Sequence, residues 1–269
     1  MSNLYVGWDV GGWNCDRNRT SRDAVCAIAG DLENLELVGI PWRGAIRAQL
    51  LNADGRPDFL LNLLEIHETF EHIVVAIDTP LGWPVSLQGL ITSANQNVAV
   101  PDEPGLNPFL FRGTERALNQ AGIATLSAVR DQIGSQSTKG QTFLTSLGFE
   151  RSQNRVGEWR KGIWTAIETY PAPCYHSPLE TCYAERLRRQ DRFLTATRAG
   201  AWVNVASDLA DAVMCAVVAA VFHEDPSQLR GPTSEQKADA AREGWIWTPT
   251  EVDVAALQNE RRGLGEENL

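Results

Sequence analysis

Five acidic side chains draw attention by where they fall: Asp9, Asp78, Glu168, Asp208 and Asp211. The first three each close a run of strand-forming residues, in "LYVGWD", "IVVAID" and "IWTAIE". Asp208 and Asp211 open a long apolar stretch and, being one helical turn apart, share a face. In open α/β sheets, sites form just beyond the strand ends. Carboxylates gathered there repel one another, and hard divalent cations such as Mg2+ or Mn2+ relieve that repulsion. Two such ions roughly 3.5–4 Å apart activate water and stabilise the leaving oxygen in phosphodiester cleavage. The pattern therefore points to metal-dependent hydrolysis, with Asp9, Asp78, Asp208 and Asp211 as metal ligands and Glu168 completing the catalytic set. Each acid also has a plain structural role open to it. Asp208, after Ser207, can serve a helix N-terminus; Asp78, before Thr79 and Pro80, can close a turn; Glu168 can pair with an arginine.

These acids need elements to carry them. Leu4, Val6 and Val10 mark a first strand; 24–29 and 35–40 follow as a β-meander, with Gly11 and Gly12 bending the first hairpin. Leucines at helical spacing predict a helix over 58–70 with Asp58 as N-cap. The near-continuous apolar run 73–77 reads as a strand buried on both faces. The stretch 107–150 reads as mostly helical, 163–167 as a strand and 179–198 as a basic helix. "SDLADAVMCAVVAAVFHED" is apolar nearly all round, the mark of a buried helix. The order predicts one α/β domain over 1–269: a mixed sheet that begins as a meander and continues as βαβ units, flanked by helices, with a helical insertion at about 85–160.

The chain has 269 residues, 43% of them hydrophobic and 22% charged, within the ordinary range of a soluble globular protein. No uninterrupted apolar run reaches about 18 residues, and no signal-peptide pattern opens the chain, so a cytoplasmic protein without a membrane span is expected. Five cysteines at irregular spacing, none as CxxC, fit a reducing compartment and disfavour a structural zinc site. A net charge of −10 argues against broad, non-specific nucleic-acid binding, though not against a local basic patch. Three candidate patches exist: Arg17, Arg19 and Arg22; Arg155, Arg160 and Lys161; and Arg186 through Arg198.

Arg112 and Arg116 lie four apart on a predicted helix, where guanidinium forks could hold a substrate phosphate. The alternative is a solvent-facing helix with local ion pairs. The four histidines lack metal-ligand spacing, and Cys174 reads as a packed thiol. Of nine tryptophans, those near the glycine-rich and strand-end motifs could stack on a base, most of the rest filling the core. Neither a P-loop nor a dinucleotide fingerprint is present.

The blocks "VGWDVGG", "AIDTPLGWP", "FRGTERAL", "ETYPAP", "SDLADAVMCAVVAA" and "EGWIWTP", in this order, resemble those of the DUF429 family. That family is assigned to the RNase H-like superfamily and often labelled as predicted nucleases. The resemblance spans roughly 4–249. It implies an RNase H-like fold in which Asp9, Asp78, Asp208 and Asp211 bind metal and Glu168 stands in an E-x-x-P block. The activity it implies is that of a nuclease or phosphodiesterase, with Mg2+ or Mn2+ as cofactor and a nucleic acid or nucleotide as partner. Two other functions stay open: an actin-like nucleotide phosphotransferase or hydrolase, since "DVGGWNCDRN" suits a phosphate-cradling hairpin, and a binding module for nucleic acid or protein that has lost catalysis.

Overall fold

The computed structural model describes residues 3–17, 21–92, 98–199 and 205–266. Eight strands make one open mixed sheet: β1 (Leu4–Asp9), β2 (Asp23–Ala29), β3 (Glu36–Gly44), β4 (Ile73–Asp78), β5 (Glu150–Arg151), β6 (Glu158–Lys161), β7 (Trp164–Thr169) and β8 (Ile246–Trp247). Their order is β3-β2-β1-β4-β7-β6-β5, with β8 pairing β7. The first three strands form the antiparallel meander that the sequence predicts, and β4 and β7 run parallel to β1. Every residue of 73–77 is buried, as its unbroken apolar run requires of a central strand.

Alternation along the strands sorts the side chains into two cores. Tyr5, Val74, Ala76 and Ile167 pack on one face, with the helix Val205–Glu224. Leu4, Val6, Trp8, Val75, Ile77 and Ala166 pack on the other, against Phe143 and Leu144 of the helix Gly134–Ser146. The helix Val205–Glu224 is apolar and long enough by composition to cross a membrane, yet 78% of its apolar window is buried inside the protein. It lies tightly over β1: a Cβ on Gly7 would meet the Ala212 carbonyl oxygen at 1.9 Å and the Ala216 nitrogen at 2.3 Å. Only glycine permits that approach.

Several sequence expectations change in detail. The 58–70 helix is only Phe59–Leu63, and Asp58 makes no side-chain cap. The chain leaves the helix there because Glu65 takes φ 55° and Leu64 turns its carbonyl to the Ile40 amide of the meander. The basic helix 179–198 is broken into a π-turn at Glu180–Ala184 and helices at Glu185–Arg188 and Asp191–Ala199. The insertion at 85–160 is helical at Val85–Ile91, Gly113–Gln120 and Gly134–Ser146, but it ends in β5 and β6. Those two strands carry the charged sequences ER and EWRK, an edge composition that shows no apolar alternation. The two-residue β8, within "EGWIWTP", is equally silent in the sequence.

Candidate functional site

Asp9 and Asp78 end adjacent parallel strands and are register partners, side by side. Period-two alternation puts Asp9 on the face of Tyr5 and Gly7, and Asp78 on the face of Val74 and Ala76. That is the face covered by the helix Val205–Glu224, which carries Asp211. Three of the predicted acids thus come to one corner. Glu168 follows Ala166 on β7 and so belongs to the opposite face.

The acids also divide by what holds them. Glu168 is buried and takes both guanidinium nitrogens of Arg112, at 2.5 and 2.7 Å, plus the Leu81 amide at 2.9 Å. Arg112 is 1% exposed and also grips Glu115 at 2.8 and 3.0 Å. Burial by itself would favour a neutral Arg112, but Glu115 and Glu168 outweigh it and raise its pKa further. Arg112 is therefore buried in ion pairs and closed to a substrate phosphate, while Glu168, its partner, also lines the cavity shared by Asp9 and Asp78. Asp208 pairs with Arg43 at 2.6 and 2.7 Å. Burial pushes Asp208 up and Arg43 opposes it. Arg116 faces Asp239 at 3.7 Å and lines a different cavity.

Asp9 and Asp78 have no such partner. Among the described residues, no group donates a hydrogen bond to either carboxylate, while both line a cavity of about 240 Å3 at the ends of β1, β4 and β7. Burial, then Asp78, then Asp211 and Asp208 push the Asp9 pKa well above the carboxylate range. Burial, Asp211 and Glu168 do the same to Asp78. Both residues are partly buried and meet the cavity. Asp211 accepts one hydrogen bond, from the Tyr175 hydroxyl at 2.7 Å, and burial still raises its pKa. Beside the acids, the Thr79 hydroxyl is buried and has no hydrogen-bond partner among the described residues, and Thr79 lines the cavity.

Two charged residues of this corner gave no signal in the sequence: Asp23 and Lys139, both fully buried. Lys139 Nζ meets both Asp23 oxygens at 2.8 Å. The same carboxylate accepts from Trp8 Nε1, the Gly11 amide and the Ile46 amide. This network pins the hairpin after Asp9 to the helix Gly134–Ser146. Residues of two of the basic patches are likewise engaged: Arg188 with Glu180, Arg189 with Glu185, Arg186 with the Glu33 carbonyl, Arg192 with the Gly39 carbonyl, and Arg160 with Glu158. Arg19 lies outside the described residues. Trp8, Trp245 and Trp247 are core residues, as is Cys174.

Among the described residues, no three His, Cys, Asp or Glu side chains are arranged as they stand to hold a metal ion. Mg2+, however, is commonly bound by one or two carboxylates plus substrate phosphate rather than by an all-protein cage. The paired, unpartnered oxygens of Asp9 and Asp78 fit that mode. Compared with protein families, curated proteins and solved structures, the chain matches none.

Proposed function

We propose that this chain is a metal-dependent phosphodiesterase of RNase H-like fold. The single observation that carries the reading is the contrast among the acids. Asp23, Glu168 and Asp208 each have a cationic partner, whereas Asp9 and Asp78, adjacent in register, have none. Leaving two crowded carboxylates uncompensated costs stability, so the arrangement makes sense as a cation site. An antiparallel β1–β2–β3 meander continued by parallel β4 and β7 supports the fold assignment, as does the ordered set of DUF429-like blocks.

Asp9 and Asp78 would hold Mg2+ or Mn2+, with Asp211 beside them. The ion supplies Lewis-acid polarisation of the phosphodiester and activation of water. The chain's own residues do the rest. Arg112 and Glu168 fix the end of β7 and, through the Leu81 amide, the loop after Asp78. Lys139 and Asp23 fix the hairpin after Asp9. Tyr175 orients Asp211 through its hydroxyl.

The test is hydrolysis of bis(p-nitrophenyl) phosphate in Mn2+, with Asp9→Asn and Asp78→Asn as controls. Activity should be abolished by a chelator and fall at least a hundredfold in either variant while both remain folded. Wild-type activity that persists in the chelator, or variants as active as wild type, would overturn the proposal.

A further inference from the structure

The shape and lining of the cavity say what kind of phosphodiester it admits, on the premise that the reading above is right. At about 240 Å3 it falls below the roughly 300–1,000 Å3 of ordinary small-molecule pockets. Asp9, Asp78 and the arginine-paired Glu168 are its carboxylates. Apolar walls come from Leu126, Ile133 and Ile246, and the Tyr170 ring adds an aromatic surface. Gln136, which carries both an amide donor and an acceptor, and the unpartnered Thr79 hydroxyl supply directional polar groups. An apolar slot with an aromatic wall and a few hydrogen-bonding groups suits one nucleobase with its sugar.

A second cavity of about 260 Å3 shares Asp78 and Tyr170 with the first and continues to Asp211, Tyr175 and Glu260. Asp78 and Tyr170 thus stand between two chambers, the first lined also by Asp9 and Glu168 and the second by Asp211 and Glu260. Among the described residues, no lysine or arginine lines either chamber. A strand laid across a protein needs cations along its backbone. Here Arg160 of the second patch and Arg186, Arg188, Arg189 and Arg192 of the third are tied to the protein's own carboxylates and carbonyls, in a chain of net charge −10.

We infer that the site takes a single nucleotide unit, its nucleoside against the apolar and aromatic wall of the first chamber and its phosphate at Asp9 and Asp78, rather than an internal stretch of a duplex. The reaction is hydrolysis: a water oxygen forms a bond to phosphorus, the ester P–O bond breaks, and the leaving oxygen takes a proton. A small nucleotide ester and the terminal nucleotide of a strand present the same chemistry.

The experiment compares thymidine 5′-(p-nitrophenyl phosphate) with the base-free bis(p-nitrophenyl) phosphate, both in Mn2+. The nucleoside ester should show a KM at least tenfold lower. Gln136→Ala and Tyr170→Ala should each raise that KM about tenfold or more with a smaller effect on kcat, as loss of stacking and base contacts predicts. Linear and circular single-stranded DNA form the second comparison. Digestion of the linear form alone, or of neither, supports a single-unit site and separates strand ends from small esters. Equal KM for the two esters, or cutting of the circle as fast as the linear strand, overturns the inference while leaving the phosphodiesterase reading intact. No Mn2+-dependent turnover of either ester overturns both.

Discussion

Asp9 and Asp78 are register partners at the ends of two parallel strands, and neither carboxylate has a hydrogen-bond donor among the described residues. Neighbouring residues on parallel strands point to the same side, so the two charges cannot avoid each other by facing apart. Every other acid brought to this end of the sheet is relieved by an arginine, a lysine or a hydroxyl. The pair is the place where the fold has left negative charge for something else to neutralise.

The first consequence is a pH dependence. Both acids have folded-state pKa values raised above their unfolded ones, chiefly by burial and then by neighbouring acids. The folded protein therefore binds more protons than the unfolded chain from about pH 4 up to the raised values. Their favourable contribution is complete below about pH 4 and is lost as pH rises through the folded pKa values. Metal-free Asp9→Asn should consequently be more stable than wild type at about pH 8, with the advantage shrinking towards about pH 4. Urea melts across that range measure it; a difference that does not vary with pH would show that the acids titrate normally. Mn2+ should stabilise wild type at about pH 8 in proportion to the logarithm of its concentration, and Asp9→Asn much less.

Arg112 and Lys139 should behave in the opposite way. Arg112→Met leaves Glu168 and Glu115 buried without their cation, and Lys139→Met does the same to Asp23. Removing one partner of a buried pair costs about 3–5 kcal/mol. Both variants should lose that much in urea unfolding. In whatever fraction of Arg112→Met remains folded, the thermal shift with Mn2+ should persist, since Arg112 does not touch Asp9 or Asp78. Loss of the shift there with unchanged stability would make Arg112 a site residue after all.

Gly7 links fold and site. Its missing Cβ is what allows the helix Val205–Glu224 to lie on β1 and bring Asp211 towards Asp9. In Gly7→Ala the new methyl meets helix backbone, which cannot rotate away, so the helix must move. The cost should reach or exceed the upper end of the ~1–3 kcal/mol typical of overpacking. Mn2+ affinity should fall as well, because Asp211 moves with its helix. Isothermal titration on the folded variant checks this; unchanged affinity would remove Asp211 from the site.

Much of this arrangement is written locally. The runs "LYVGWD" and "IVVAID" already place Asp9 and Asp78 at strand ends, and the unbroken apolar run before Asp78 already makes β4 central, whereas their common face follows from the strand register. The long apolar stretch after Asp208 is a buried helix because no face of it is polar. Such features depend on neighbours within a turn or a strand, so the sequence alone determines them. Which acids are free does not depend on neighbours. Glu168 meets Arg112 across 56 residues, Asp23 meets Lys139 across 116, and Asp208 meets Arg43 across 165. A carboxylate's charge state and availability are set by whatever cation the folded chain brings within about 3 Å, and that distance has no trace in sequence spacing. Five similar acids were therefore legible as a group. Only the tertiary structure separated Asp9 and Asp78 from those that the fold had already neutralised.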